Sequence, residues 1–398
     1  MTNRQFSVIL AGGFLLEAAG YLAFPYLSIG MRDTFGMKES DIGLLFLIAI
    51  GLRPLWAMVG AYLAERVRPV LLLTVACLAE SIAFCLLGVS NSLYLGIFAI
   101  ILGNIGFSLW TPNLFGIIYK EYKDSEAASK ASLLNGTLNA GAAVGCLIGG
   151  GLAILDMRQV FLGAAVLYMG CLPVLAWSLW PQRVESLPPE SMGETADILR
   201  GPRPLQYLGV VLATVGFWAS YAQFNSFFAL FAKDWLHSET FTGIAFGILA
   251  VTVAITSVIL SKWKNLRAGL LRLTQISGLL LVVAWQTISI QVGIASAMFF
   301  ILVLAISEAT SSIAFSELWS KLKPKRSHLA QNLNFAVRNI AMGIGSFIGG
   351  VFSCPPGGNA SIHMWSYVNA ALLFVMIFGL WLSRRSLCFS GENVGVSA

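Results

Sequence analysis

The chain has 398 residues, of which 57% are apolar and only 11% are charged. About a quarter of the residues in a soluble domain are charged, so this composition argues against a water-soluble enzyme and excludes a disordered, collagen-like or coiled-coil protein. The net charge of +6 would suit nucleic-acid binding if the chain were soluble, but the cytoplasmic loops of membrane proteins also collect Lys and Arg.

Apolar runs separated by short polar turns predict membrane-spanning helices, each of which needs about 20 mostly apolar residues. Six runs lie at about 6–27, 42–63, 70–89, 92–118, 131–153 and 158–180. After a Pro-rich, charged stretch, six more lie at about 205–232, 241–261, 268–291, 294–318, 328–352 and 363–383. We number these runs span 1 to span 12. The first run is far longer than the core of a signal peptide, so we expect it to be retained as span 1.

This pattern predicts an all-α integral membrane protein with twelve transmembrane helices. The expected domains are a six-helix bundle at 1–180, a cytoplasmic linker at 181–204, and a second six-helix bundle at 205–398 that ends in a short cytoplasmic tail. Nineteen of the 25 Lys and Arg residues fall on the side of both termini, four fall on the opposite side and two lie inside spans. Because positive charge collects in cytoplasmic loops, we expect both termini to be cytoplasmic and no nucleic-acid partner.

The two groups of six spans resemble each other at an offset of 200 residues. Five residues of span 5 recur in span 11, namely Asn139, Gly145, Ile148, Gly149 and Gly150 as Asn339, Gly345, Ile348, Gly349 and Gly350. The same offset relates Leu71, Leu73 and Thr74 of span 3 to Leu271, Leu273 and Thr274 of span 9. A duplicated six-helix unit places the substrate path between the halves, near the middle of the membrane.

Five charged residues lie deep inside apolar runs, where a charge is costly and persists mainly if it pairs or faces water. They are Glu17 in span 1, Arg53 in span 2, Glu80 in span 3, Glu308 in span 10 and Arg338 in span 11. Three acids and two bases in one polar interior leave one acid without a basic partner, and that acid could bind a proton and couple its movement to a substrate. Two structural alternatives remain: Glu80 pairs with Arg53 on the neighbouring span, and Arg53 with Pro54 only marks a bend.

Side-chain amides accompany Arg338 in span 11. They are Gln331, Asn332, Asn334 and Asn339. A lipid-facing helix does not carry this much polarity, so span 11 is predicted to form a wall of a wet cavity.

Span 7 combines aromatic residues with polar ones in the segment WASYAQFNSFFALF, which begins at Trp218. Tyr221, Gln223 and Asn225 fall in the middle of this span. Such a mixture suits a binding wall for an organic molecule, and the alternative for the Phe residues is packing between helices.

No motif for catalysis is visible in the sequence. The three His are at or near span ends, and no Ser-His-Asp set, HExxH, DxD or Walker sequence is present. The six Cys have no CxxC spacing, so we expect neither a metal site nor a disulfide framework. The sequence predicts that the protein is not an enzyme and needs no cofactor.

The loop between spans 2 and 3 reads GAYLAERVRP at 60–69. It is similar to the motif Gly-x-Leu-Ala-Asp-Arg-x-Gly-Arg of the major facilitator superfamily, with Glu65 at the Asp position and Arg66 at the Arg. Ala61 and Arg68 stand in place of the two glycines. The resemblance implies that this loop is a cytoplasmic latch between the halves and that Glu65 and Arg66 are gating residues.

Span 5 reads GAAVGCLIGG at 141–150 and resembles the motif Gly-xxx-Gly-Pro-xx-Gly-Gly of exporters in the same superfamily. The matching residues are Gly141, Gly145, Gly149 and Gly150, and Cys146 replaces the Pro. Small residues at this spacing permit close helix packing. The segment LAFPYLSIGMRDTFG at 22–36 is similar to bacterial efflux members, whereas span 4 lacks the Arg of the family's Arg-xxxx-Gly pattern.

The resemblance is to the drug:proton antiporter branch and implies a secondary transporter of the inner membrane that works by alternating access. The expected partners are a small organic cargo, protons as the coupling ion and the lipid bilayer, and family likeness implies a monomer. Export of a drug or of a secreted metabolite such as a siderophore is favoured. An importer of a small organic anion or nutrient is the alternative, and a membrane sensor or a lipid-modifying enzyme is a remote one.

Overall fold

All regular structure in the computed structural model, within the ranges it describes, is helical. The described residues are 3–64, 66–122, 124–179, 204–262, 266–290, 292–322, 327–352 and 359–388. Twelve helical segments in these ranges are long and apolar enough to cross a membrane. The predicted all-α class and the number of spans are therefore confirmed, while 181–203 of the predicted linker lies outside the described residues.

The helices of all twelve spans overlap the predicted runs, and the largest differences are at the end of span 1, which extends to Asp33, and at the start of span 5, which begins at Asp124. Span 1 consists of the helices Asn3–Ala23 and Leu27–Asp33, joined by the 3-10 turn Phe24–Tyr26, and span 2 consists of Glu39–Gly51 and Arg53–Ala64. Spans 3 to 6 are Pro69–Val89, Leu93–Glu121, Asp124–Ala153 and Met157–Leu179. Spans 7 to 12 are Pro204–Trp235, Glu239–Lys262, Leu266–Ile290, Ile294–Leu322, Ser327–Phe352 and Asn359–Cys388.

Proline explains the two interruptions. Pro25 lies in the 3-10 turn of span 1, and Pro54 follows the residue at which the second helix of span 2 begins. Because proline has no N–H group and clashes with the preceding turn, it breaks or bends a helix. Arg53 therefore starts a new helical segment in the middle of span 2.

The two halves of the chain pack in the same way. Span 1 packs on span 5, and span 3 packs on spans 4 and 6. In the second half, span 7 packs on span 11, and span 9 packs on spans 10 and 12. The largest contacts between the halves join span 2 to span 11 and span 5 to span 8. Spans 2 and 5 of the first half correspond to spans 8 and 11 of the second half, so these two contacts are equivalent. The packing of the helices therefore shows the same repeat as the sequence.

Glycines allow the closest helix packing within each half. Gly141, Gly145 and Gly149 of span 5 lie directly against the backbone of span 1, and Gly345 of span 11 lies against Ala219 of span 7. A Cβ atom at any of these positions would collide with the facing helix, so the small residues determine the distance between the spans.

Candidate functional site

We call the side of the molecule where span 1 begins and span 12 ends the termini face, and the opposite side the distal face. The five charged residues from the interiors of the spans come together between these faces. The charge of Glu17 interacts with both Arg53 and Arg338, Glu80 interacts with Arg53, and Glu308 interacts with Arg338. These five residues, which we call the central cluster, come from both halves of the chain.

Arg53 is only 6% exposed and is held mainly by span 4. Its Nε donates a hydrogen bond to Oδ1 of Asn104 at 2.7 Å, and its guanidinium lies 4.4 Å from the ring centroid of Phe107. Asn104 is fixed in turn, because its Nδ2 donates to the carbonyl of Ile100 at 2.8 Å. Span 2 thus presents an oriented cation against span 4.

A direct ion pair between Arg53 and Glu80 is not present: within the described ranges, the salt bridges with N–O distances up to 4.0 Å do not include these two residues. Glu80 is 3% exposed and packs against span 4, where Gly106 leaves room for it. A Cβ on Gly106 would lie 2.7 Å from Cγ of Glu80. Their charges interact over a longer distance, inside the first half.

Arg338 is partly exposed and lies over an aromatic ring of span 7, with its Cζ 3.7 Å from the ring centroid of Trp218. Such a cation–π contact orients the guanidinium while its N–H edges stay available. Of the neighbouring amides, Asn339 donates to the carbonyl of Phe335 in its own helix at 2.8 Å. Oδ1 of Asn334 is buried and has no hydrogen-bond partner among the described residues.

The two acids closest to the boundary between the halves are Glu17 and Glu308. Both are partly exposed, and the ion pairs of the described chain include neither of them. Oε2 of Glu308 is buried without a hydrogen-bond partner in the described chain, and the hydroxyl of Tyr221 lies beside this carboxylate. The hydroxyl of Tyr21 in span 1 interacts electrostatically with both Glu17 and Glu308.

The polar residues of span 7 point in different directions, because residues two apart on a helix are about 200° apart around its axis. Gln223 faces span 12, where its Oε1 accepts hydrogen bonds from Nε1 of Trp365 at 2.7 Å and from Nδ2 of Asn369 at 3.0 Å. Its Nε2 is buried and has no hydrogen-bond partner among the described residues. Asn225 also has a buried Oδ1 without a partner among the described residues and lines a small cavity between the halves together with Asn104.

The Phe residues of span 7 pack between helices. The ring of Phe224 lies 4.7 Å from that of Phe228, 4.9 Å from that of Phe246 in span 8 and 5.7 Å from that of Phe300 in span 10. For these rings the structure favours the packing alternative, and the aromatic wall of the site consists of Phe107, Trp218 and the two tyrosines.

Ion pairs join the two halves at the distal face. Arg32 at the end of span 1 binds both carboxylate oxygens of Asp234 at the end of span 7, at 2.5 and 2.8 Å. Nζ of Lys233 binds Asp33 at 2.7 Å and Glu239 at 2.5 Å. Each half supplies a cation and an acid to the other, and we call these residues the distal ion-pair network.

Two glycine crossings close the distal side as well. A Cβ on Gly350 of span 11 would lie 2.9 Å from Cα of Gly43 in span 2, and a Cβ on Gly243 of span 8 would lie 2.9 Å from Cα of Gly150 in span 5. The two crossings are related by the 200-residue offset. The distal ends of the two halves are therefore in direct backbone contact.

The predicted gating loop can be described only in part, because Glu65 lies outside the described residues. Arg66 is exposed, and its guanidinium lies 3.7 Å from the ring centroid of Tyr62 in the same half. In this conformation Arg66 thus contacts its own half.

Sequence reasoning did not identify three features of the site: Asn104 and Phe107, which hold Arg53; Tyr21, which interacts with both Glu17 and Glu308; and the distal ion-pair network. A partial signal was present for two of them. Tyr21 follows Glu17 by four residues, so both share one helix face, and Asn104 is an amide in the middle of an apolar span. Among the described residues, no group of His, Cys, Asp and Glu has the arrangement of a metal site.

Comparison with known proteins gives a family match over most of the chain. The profile of the Major Facilitator Superfamily matches residues 9–350. The Multidrug resistance protein MdtH of Klebsiella pneumoniae is 24% identical over 279 residues, which are 67% of each chain. The protein of the same name from Shigella boydii is 27% identical over 175 residues, which are 43% of each chain, so less than half of that relative is covered.

Solved structures with the same fold cover nearly the whole chain. A POT family transporter in complex with a thioalcohol-conjugated peptide has a TM-score of 0.79 at 14% identity, with 96% of each chain covered. A bacterial homologue of the human drug peptide transporters PepT1 and PepT2 has a TM-score of 0.76 at 14% identity, with 97% of this chain and 98% of that chain covered. At these identities the likeness shows the fold, and these relatives and neighbours are transporters, not enzymes.

Proposed function

Because the chain belongs to the major facilitator superfamily, we propose that this transporter exports a small organic compound in exchange for protons by alternating access. The proposed location is the bacterial inner membrane, with both termini and the linker in the cytoplasm. The central cluster is the proposed cargo and proton site, and the two six-span halves are the proposed moving parts. In this orientation the distal contacts close the side of the protein that faces away from the cytoplasm.

The observation that carries the proposal is the central cluster itself, in which both halves contribute charged groups that are not ion-paired. Buried charges without close partners are costly in a membrane protein and mark ion or substrate pathways. Glu17 and Glu308 lie on either side of the boundary that must open and close during transport. A proton or a cargo that binds there contacts both halves.

Exchange follows if cargo and proton compete for the same carboxylate. A positively charged group beside Glu17 or Glu308 favours the ionised acid, so cargo binding releases a proton. A negatively charged group in the same place favours the protonated acid, so cargo and proton bind together. Competition at the carboxylate therefore gives antiport for a cargo with a basic group, whereas an exclusively anionic cargo leads to symport.

Export rather than import is supported by two sequence features. Span 5 retains the four glycines of the exporter motif, and relatives with 24% and 27% identity are named multidrug resistance proteins.

The test is transport in everted membrane vesicles with a panel of fluorescent organic compounds. We expect at least one compound to accumulate in vesicles that contain the wild-type protein, and an uncoupler of the proton gradient to abolish this accumulation. Glu17→Gln or Glu308→Gln removes a titrating group while preserving the size of the side chain, so one of them should abolish proton-driven accumulation. Glu126→Gln is the matched control, because Glu126 is exposed and lies outside the central cluster.

Accumulation that persists with the uncoupler and in both Gln variants would contradict proton antiport.

A symporter that imports a small organic anion is the second candidate. The unpaired guanidinium groups of Arg53 and Arg338 favour it, because they offer an anion two cations in one site. Uptake of a labelled organic acid by whole cells, accompanied by alkalinisation of the medium, would support this candidate and contradict export.

A further inference from the structure

The two arginines of the central cluster are held by aromatic rings and not by carboxylates. Phe107 covers one face of Arg53 at 4.4 Å, and Trp218 covers one face of Arg338 at 3.7 Å. Among the described residues, the hydrogen bonds of Arg53 are limited to the one from Nε to Asn104. A guanidinium has five N–H donors in its plane, so most of the donors of both arginines have no protein acceptor in the described chain.

These two cations come from spans that pack against each other across the boundary between the halves, where a Cβ on Gly343 of span 11 would lie 3.2 Å from the backbone N of Gly51 in span 2. Arg53 belongs to span 2 and Arg338 to span 11, and their charges interact unfavourably. Glu17 interacts with both arginines, but its carboxylate is not within ion-pair distance of either one. An anionic group from outside the chain would supply the missing acceptors and reduce the repulsion between the halves.

The acids form a second, separate feature of the central cluster. Tyr21 interacts with both Glu17 and Glu308, and Oε2 of Glu308 is buried without a donor in the described chain. A buried carboxylate oxygen without a hydrogen-bond partner destabilises the protein unless it is protonated or accepts a hydrogen bond from a ligand. A primary, secondary or tertiary ammonium group provides such a donor and a compensating charge.

We propose that the cargo is amphoteric, with an acidic group bound between Arg53 and Arg338 and a basic group against Glu17 and Glu308. The aromatic rings of Phe107, Trp218 and the tyrosines suit an apolar body between these groups. This inference rests on the proposed function, since only the basic group competes with the coupling proton. The acidic group anchors the cargo to an arginine from each half.

The experiment measures binding without any proton gradient, so that it is independent of whether transport is proton-driven. Purified protein in detergent is titrated with a panel of aromatic amino acids and amphoteric aromatic drugs, and thermal unfolding is followed by the fluorescence of its tryptophans. Each compound is compared with its methyl ester, which lacks the acid, and with its N-acetyl derivative, which lacks the base. We expect both derivatives to bind roughly tenfold more weakly or worse than the parent compound.

Variants assign the two groups of the cargo to the two parts of the site. Arg338→Gln should remove the preference for the acid over its ester, and Arg338→Lys should restore part of it. Glu308→Gln should reduce the preference for the amine over its N-acetyl derivative. Arg158→Gln, at the distal face and bonded to Asn91, is the control that should retain both preferences.

Three results would overturn the inference: esters that bind as tightly as the parent acids to the wild-type protein, a preference for the acid that persists in Arg338→Gln, or the absence of any stabilisation across the panel. Accumulation in vesicles that persists with the uncoupler and in both Gln variants, together with intact binding preferences, would contradict proton antiport. The amphoteric cargo would remain supported.

Discussion

The charged residues at the distal face and those in the central cluster are arranged in opposite ways. At the distal face Arg32, Lys233, Asp33 and Asp234 form ion pairs across the halves at 2.5 to 2.8 Å. In the central cluster the arginines instead stack on aromatic rings, and the acids have no ion pair among the described residues. Charges satisfied by the protein stabilise one conformation, whereas charges that the protein does not satisfy are available to a proton or a cargo.

The largest effect is expected from a substitution that keeps the two halves from packing together at the distal face. Gly350→Leu adds a side chain where even a Cβ would lie 2.9 Å from Gly43, so the crossing of spans 2 and 11 cannot form as it does here. We expect transport to fall to less than about a tenth of the wild-type rate, because one of the two end states of alternating access is lost. The rate is measured with any compound that the wild-type protein transports in vesicles.

Gly151→Leu is the matched control for this prediction, because Gly151 has no atom within 4 Å of an added Cβ and is exposed. It should transport at nearly the wild-type rate. Equal rates in Gly350→Leu and in the wild-type protein would show that the distal crossing is not required for the cycle.

A substitution beside Arg338 tests whether the aromatic rings orient the central cations. Trp218→Ala removes the ring that lies 3.7 Å from the guanidinium, and a partly buried cation–π contact contributes about 1–2 kcal/mol. We expect cargo affinity to fall roughly 5- to 30-fold, and Trp218→Phe to show a smaller loss because it retains a ring. The dissociation constants are measured by thermal shift with a cargo of the wild-type protein.

Unchanged affinity in Trp218→Ala, with the fold intact by circular dichroism, would mean that Arg338 is oriented without this ring.

The smallest effect is expected from the distal ion-pair network, because its side chains are partly exposed and such pairs contribute about 1 kcal/mol or less. Arg32→Ala should increase the population of the distal-open state several-fold. This population is measured by introducing a cysteine at the central cluster and following its labelling by a thiol reagent that is added from the distal side. In a double-mutant cycle with Asp234→Ala, the second substitution should add little to the first.

Additive effects of Arg32→Ala and Asp234→Ala would show that this pair does not hold the halves together. Comparison with Gly350→Leu then shows which of the two distal contacts contributes more to transport. The glycine crossing acts through packing, whereas the ion pair acts through charge.

The sequence predicted the number of spans and the five members of the central cluster because both depend on local composition. Each span is defined by about 20 consecutive apolar residues, and a Glu or Arg among them is visible without any knowledge of packing. The repeat at an offset of 200 residues likewise anticipated that Gly150 and Gly350 occupy equivalent places, which the two glycine crossings now show in three dimensions.

The directions of individual side chains could not be read in the same way. Gln223 and Asn225 are two residues apart in one polar segment, yet Gln223 binds span 12 and Asn225 lines the cavity between the halves. The angle between them follows from helix geometry, but which direction faces the cavity depends on the neighbouring spans.

The sequence by itself thus determined that the chain forms twelve membrane spans in two related halves with charges at their centre, since the free energy of transfer into lipid is set segment by segment. The tertiary structure alone decided that Arg53 rests on Asn104 and Phe107, that Tyr21 comes near Glu308 of the other half, and that Arg32 reaches Asp234. These contacts join residues from different spans, in one case 202 positions apart, and their partners are chosen by packing between helices.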